Sequence, residues 1–232
     1  MIPLTFNSSM PTFLSRLEEV NDLAIGHLCE GSYAEAEAIF LTLLAVAGEN
    51  QEQLQISDAL HLQHSRIYGK QAMLAEVSLK HVLGDDDTPM ECPTASFGFY
   101  HYAFGAEICP NNHNDLQVFS AMVAYNIAVM QHGFGVLEGS VPKLHRARQF
   151  YELTLKILEH STASAILELS TYNNLGHLCS FFQDTLGMQL NRNALSKCLS
   201  SAPGGLDSEA LAFFRSSLSR TSRVSYTLAA AA

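Results

Sequence analysis

The chain has 232 residues, 47% of them hydrophobic, with 14 glycines, 7 prolines and a formal net charge of −10. That length fits one domain or two small ones, and the apolar share excludes disorder throughout, a fibrous repeat and a low-complexity chain. Residues 1–118 hold 16 acids against 4 bases and residues 119–232 hold 7 against 9. This argues against general nucleic-acid binding, which needs a dense basic patch, and leaves an acidic solvated first half, head-to-tail self-association or an intramolecular match between the two halves.

In chain order, residues 1–10 read as a lead-in. A helix is expected from about Pro11 or Thr12, where proline suits a first turn, with Leu14, Leu17, Val20, Leu23, Ala24 and Leu28 at helical spacing. Gly31-Ser32 stops it, Ser32 caps a second helix with Ala36, Phe40, Leu43 and Leu44 on its apolar face, and Gly48 closes that helix. Residues 52–83 read as a degenerate helix pair broken near Tyr68-Gly69. Leu54, Ala59, Leu62 and Ile67 serve its first member, and Met73, Leu74, Val77, Leu79 and Val82 its second.

Residues 84–115 differ in kind. Gly84-Asp85-Asp86-Asp87, Pro89, Pro93, Pro110 and Asn111-Asn112 forbid a long helix, and FGFYHYAFGAEI at 97–108 is dense in aromatics. A long structureless loop inside a compact domain is uncommon unless it packs or functions. The stretch is therefore expected to be extended and laid against the helices, with a hairpin or a lid as alternatives. Helices resume near Leu116, with Phe119, Met122, Val123, Ile127 and Met130 on one side. A glycine-rich loop, Gly133–Gly139, leads to a helix carrying Leu144, Ala147, Phe150 or Tyr151, Leu155 and Leu158. A further pair spans residues 165–201. After Pro203-Gly204-Gly205, Asp207 or Ser208 caps a last helix to about Ser219, and residues 221–232 read as a fraying tail.

Three stretches share a logic: a large then a small residue in one helix, a small residue where the next helix crosses it, and an aromatic one turn later. Leu23, Ala24, Ala36 and Phe40 fill these places once, and Ile127, Ala128, Ala147 and Tyr151 fill them again across a connection seven residues longer. Leu175 and Gly176 fill half of a third copy, with Met188 and Arg192 at the other two places. This is the pattern of a tetratricopeptide (TPR) repeat, whose period is about 34 residues. Ala124-Tyr125-Asn126-Ile127-Ala128, ARQFYELTL at 147–155 and Tyr172-Asn173-Asn174-Leu175-Gly176-His177, with the terminal alanine run, resemble a group of short TPR-like proteins expanded in algae such as diatoms. The resemblance covers about residues 95–232 and implies an all-helical fold with no assigned chemistry. The expected fold is all-α: an α-solenoid of TPR-like helical hairpins with a C-terminal capping helix. Its parts are a lead-in (1–10), TPR-like and degenerate pairs (11–83), the aromatic insertion (84–115), further pairs plus the terminal helix (116–220) and a tail (221–232).

Candidate chemistry is sparse. Five cysteines, Cys29, Cys92, Cys109, Cys179 and Cys198, make neither a disulfide framework nor a zinc pair, and reduced thiols are expected. His61 and His64 share a helix face without a third ligand in nearby sequence, and His101, Cys109 and His113 have no ligand spacing. Gly-His-Leu-Cys recurs at 26–29 and 176–179, but its two copies are out of repeat register, and a His and Cys two apart on a helix face different ways. No metal and no cofactor are expected. GxSxG, HExxH, phosphate-loop and dinucleotide signatures are absent, and Glu18-Glu19 and Asp85–Asp87 read as solvated. Met122, Met130 and Met188 fit an adaptable binding face or, at helical spacing, the core.

The candidate site is the concave groove: Tyr125, Asn126, Val129, Asn173, His177 and Phe181 align toward it. A side-chain amide can bond both the N–H and the C=O of a peptide backbone, whatever the peptide's side chains. Asn126 and Asn174 could equally tie neighbouring helices together. The groove lacks the lysines and arginines that clamp a terminal carboxylate. The expected role is a protein–protein interaction adaptor or scaffold holding an extended or helical peptide, without catalysis. The alternatives are a structural subunit meeting its neighbours through the aromatic insertion and, third, an enzyme on a helical scaffold. No apolar run of eighteen residues occurs and the first twenty residues lack a signal-peptide pattern, so no membrane span and a cytoplasmic or nuclear location are expected.

Overall fold

A computed structural model describes residues 10–58, 73–79, 97–107, 113–159, 164–202 and 206–230. These form helices α1 (Met10–Cys29), α2 (Tyr33–Asp58), α3 (His113–Leu137), α4 (Val141–Leu158), α5 (Ala165–Phe181), α6 (Thr185–Ser201) and α7 (Ser208–Ala230), with strands β1 (Met73–Ser78) and β2 (Tyr102–Glu107). The protein is mostly helical, as its residue pattern predicts. Each helix packs on the next in sequence except at the α6 to α7 step, where the contact is slight, and α1, α3, α5 and α7 also touch one another in succession.

Three helix-to-helix turns are built alike. Ser32 N–H donates to His27 C=O (2.8 Å) and Gly31 N–H to Leu28 C=O (3.2 Å) after α1. Ser140 and Gly139 make the same pair of bonds to Gly135 and Val136 after α3, and Asp184 and Gln183 to Cys179 and Ser180 after α5. The middle residue is left-handed each time: Gly31 at φ 82°, Gly139 at 62° and Gln183 at 56°. These are glycine-type helix stops, with the third adopting the same conformation without glycine. Glu-Gly-Ser stands at 30–32 and again at 138–140.

This corrects the reading of Gly133–Gly139 as a loop. Helix α3 runs through Gly133 and Gly135 to Leu137. Relative to the first hairpin, four of the seven additional residues lie between Ala128 and the turn and three between the turn and Ala147. Each is about one helical turn, so both apolar faces keep their phase, and Ala147 and Tyr151 are buried as the repeat pattern requires. Gly135 permits the added turn to pack: a Cβ there would sit 2.5 Å from Leu144 Cδ2.

Other expectations shift. Gly48 does not close α2, which continues to Asp58 through glutamates, glutamines and leucine, all good helix formers. Residues 73–78 are strand β1, not part of a helix; β1 pairs antiparallel with β2, Met73 opposite Glu107 through Ser78 opposite Tyr102. Helix α7 passes Ser219 to Ala230, with no glycine or proline to stop it, so the tail reading fails over 221–230. Leu23 is 54% exposed where its counterparts Ile127 and Leu175 are buried, because no earlier hairpin among the described residues covers that face. In α6 the close-packed small residue is Gly187, one before Met188: a Cβ on it would lie 2.6 Å from Cys179 Sγ. The readings at Ala59, Leu62, Ile67, His61, His64, Val82, 84–96 and 203–205 lie outside the described residues.

Phe40, Leu28, Ala36 and Ala24 form the first hairpin's buried centre. Ala36 is fully buried, so Ala36→Leu should overpack that crossing and lower stability by about 1–3 kcal/mol in chemical denaturation. An unchanged midpoint would show that α1 and α2 do not cross at Ala36. Between the acidic and basic halves, Arg146 of α4 meets Glu37 of α2 at 2.7 Å, a half-exposed pair of small energetic weight.

Candidate functional site

Residues 97–107 lie extended along the face made by α1, α3, α5 and α7, as the sequence predicts for the aromatic stretch. Phe97, Phe99, Tyr100, Ala103 and Phe104 are all buried there. The stretch runs opposite to the helix order. Its start meets α7 and α5, and its end meets α3 and α1.

Side-chain amides hold its backbone. Asn126 Oδ1 accepts from Phe104 N–H (2.8 Å) and Asn126 Nδ2 donates to Phe104 C=O (2.9 Å). Asn174 closes the same ring on Tyr100, at 2.9 Å in both directions. Asn126 stands two residues before Ala128 and Asn174 two before Gly176, so the two clamps occupy equivalent places in successive copies of the pattern. One residue earlier in register, Asn173 donates to Gly98 C=O (2.7 Å) and Asn21 to Phe104 C=O (3.3 Å). Gly98 N–H donates to Ser217 Oγ of α7 (3.4 Å). Each of these residues is buried, and a buried backbone group without a partner is costly, so the amides are what allow a non-helical strand in this interior. The other edge of β2 belongs to β1, and Leu79 N–H continues that ladder by donating to His101 C=O (3.0 Å).

Ring contacts set the fit. Phe97 lies against Gly176, where a Cβ would be 2.6 Å from its ring. Phe99 packs on His132 (centroids 4.2 Å apart) and His177 (5.8 Å). Tyr100 meets Phe214 (4.9 Å) and Phe213 (5.2 Å), and Phe104 meets Tyr125 (5.1 Å). Beneath them a polar chain runs through the core. Asn174 Nδ2 donates to the hydroxyls of Tyr125 (3.2 Å) and Tyr151 (3.0 Å), Tyr151 OH lies 3.3 Å from His132 Nδ1, and His132 Nε2 lies 2.9 Å from His177 Nδ1.

Of the residues aligned toward the groove, Tyr125, Asn126, Asn173 and His177 converge on the 97–104 stretch. Val129 is fully buried in α3, and Phe181 is half-buried at the end of α5 against Phe182 (5.6 Å, edge-on). Asn174 proves to be a clamp rather than only a tie between helices. Asn21, His132, Ser217, Phe213 and Phe214 also meet the stretch and lie outside the six aligned positions. The Asn126 and Asn174 equivalence is the signal that points to the pair; nothing local marks the α7 residues. Met122 and Met130 are core.

Burial, and next the charge of His177, hold the His132 imidazole well below its ordinary pKa, so it stays neutral. Burial first raises the Tyr100, Tyr125 and Tyr151 phenols. Glu76 on β1 lies close enough to add to the Tyr100 shift, although the two fall short of good hydrogen-bond geometry. Burial likewise raises the thiols of Cys29, Cys179 and Cys198, the last to about 11, which keeps them protonated and poor nucleophiles. Among the described residues no group of three His, Cys, Asp or Glu converges on a metal site. No described helix is long and apolar enough to cross a membrane.

A depressed histidine pKa carries a sign. The unfolded chain takes up this proton near pH 6.5 and the folded chain does not, so stability is full above that pH and falls as pH drops below it. Between pH 7.5 and 5.5 the wild type should lose about 1 kcal/mol more than His132→Leu in urea unfolding. Equal slopes for the two proteins would mean His132 is not held neutral.

Comparison with family models, with curated proteins and with solved structures finds no match to this chain.

Proposed function

We propose that the chain is a TPR-like α-solenoid of the kind the algal resemblance implies, and that it serves as a protein-interaction adaptor or scaffold. Its concave face, lined by α1, α3, α5 and α7, holds an extended peptide, and it catalyses nothing. A cytoplasmic or nuclear setting belongs to the same reading. One observation carries it: Asn126 and Asn174, at equivalent repeat positions, each grip both backbone groups of one residue in an extended segment. Main-chain recognition of this kind gives affinity without dictating sequence, which suits a docking surface.

Three similar turns and the sequential packing of hairpins support the solenoid. The raised thiol pKa values of Cys179 and Cys198 argue against nucleophilic chemistry by those thiols, and the depressed pKa of His132 argues against its acting as a general acid. The structural-subunit alternative needs the 97–104 aromatics on the surface, and Phe97, Phe99, Tyr100 and Phe104 are buried.

The test is affinity capture from the native cell, comparing wild type, Asn173→Ala and a surface control, Leu190→Ser on the exposed face of α6. A groove adaptor loses or changes its partner with Asn173→Ala and keeps it with Leu190→Ser. The same partners at the same yield from all three, with unchanged circular dichroism, would remove the groove from the account.

A further inference from the structure

We infer that a cleft at the start of α2 binds a small zwitterion, an α-amino acid with an apolar side chain. The site is separate from the concave face and does not depend on the adaptor reading.

The cleft lies between the turn after α1, the first turn of α2, the last turns of α3 and the start of α4, with a volume of about 440 Å³. That is the small end of the range for ligand pockets. A 26-residue helix begins here without a side-chain cap. Its first bond is Ala36 N–H to Ser32 C=O (3.0 Å), and the amides of Tyr33, Ala34 and Glu35 bond nothing among the described residues. Ser32 holds the cap position through its carbonyl alone; its hydroxyl, expected from the sequence to cap these amides, is unbonded among the described residues. Such a terminus attracts negative charge. A second element points into the same space. Gln131 of α3 is 5% exposed, lines the cleft and makes no hydrogen bond among the described residues. Its amide atoms reach the cleft rather than being sealed in the core. A buried amide left unpartnered costs free energy, so this one offers a donor and an acceptor to whatever enters.

The charges around the cleft select the ligand. Lys143 holds its ammonium 5.6 Å from the centre of the Phe134 ring and donates to both oxygens of Glu138 (2.7 and 2.8 Å). An ammonium has three donors, so one remains. The Glu37 carboxylate is taken by Arg146 at 2.7 Å. Glu35 is exposed and has no ion pair among the described residues. A plain anion drawn to the helix start would meet Glu35, and a plain cation drawn to Glu35 would meet the helix start and Lys143. A molecule carrying both signs meets neither conflict. Its carboxylate faces the α2 amides, the Ser32 hydroxyl and Lys143, and its ammonium faces Glu35. Gln131 can donate to the first group and accept from the second. The remaining wall is Met130 and Phe134, both buried, and Tyr33, whose ring packs on Phe134 (centroids 3.8 Å apart), which suits an apolar side chain.

The test titrates leucine, methionine and phenylalanine into the full chain by calorimetry. At least one is expected to bind one to one with a dissociation constant below about 1 mM. The N-acetyl and amide derivatives of the tightest binder each lack one charge, and each should bind at least about tenfold more weakly. Gln131→Leu should weaken binding by at least about tenfold while its urea midpoint stays at or above that of the wild type, because the amide it removes has no partner to lose. A merely structural glutamine would do the opposite, lowering the midpoint and leaving affinity alone. If Gln131→Leu does not fold, Lys143→Gln, at a half-exposed position, takes its place with the same expected loss of affinity. No saturation by any of the three amino acids at about 10 mM overturns the inference. So does unchanged affinity in a folded variant. An N-acetyl derivative that binds as well as its parent would assign the cleft to a bare carboxylate such as a chain end, and an equally tight amide would assign it to a cation; either result overturns the zwitterion.

Discussion

Asn174→Leu should destabilise the protein by about 3–5 kcal/mol, although the two side chains are nearly equal in size. The change strands Tyr100 N–H and C=O inside the protein and removes the donor shared by the Tyr125 and Tyr151 hydroxyls. A buried polar group left without a partner costs about 1–3 kcal/mol. The hydroxyls can rotate, and Tyr151 keeps its neighbour His132, so the two backbone groups account for most of the loss. Urea unfolding measures it, with Asn193→Leu on the exposed side of α6 as a control expected to stay within about 0.5 kcal/mol. A loss below about 1 kcal/mol for Asn174→Leu would mean the clamp is not what satisfies Tyr100.

Phe104→Ala is expected to cost a similar amount, about 3–5 kcal/mol, because its fully buried ring fills the space against Tyr125. The more informative measurement is a double-mutant cycle with Asn126→Leu. Asn126 acts on the Phe104 backbone itself, so the two losses should overlap, with the combined cost falling short of their sum by at least about 0.5 kcal/mol. Strict additivity would show that ring and amide contribute independently, and that the strand is not held as one unit.

These effects concentrate on a stretch whose role the amino-acid pattern partly exposes. The aromatic density and prolines of 84–115 exclude a long helix, and an extended path against the helices follows from the need to bury those rings. The amide pair is visible too, because Asn126 and Asn174 stand at matching offsets from Ala128 and Gly176. The occupant of the groove is not visible. An asparagine that grips a partner and one that grips its own chain look identical in sequence, since the amide bonds the same two backbone groups either way. Strand β1 was hidden for a related reason. Met73, Leu74 and Val77 fit a helix face as well as a strand, and pairing with residues 102–107, some thirty positions away, decides between them.

Local chemistry alone therefore determined the mostly helical character, the first hairpin with its Gly31 stop, and the buried faces of α3, α4 and α5. Those follow from periodicity, small residues and turn residues acting within a few positions of one another. Tertiary structure decided that the seven additional residues became one helical turn in each of α3 and α4, that Gly187 rather than Met188 is the close-packed small residue of α6, and that the face of α1, α3, α5 and α7 is covered by the protein's own extended stretch. The reason is physical: the free energy of a buried strand depends on which distant amides and rings complete its bonds, and no window of neighbouring residues contains that information.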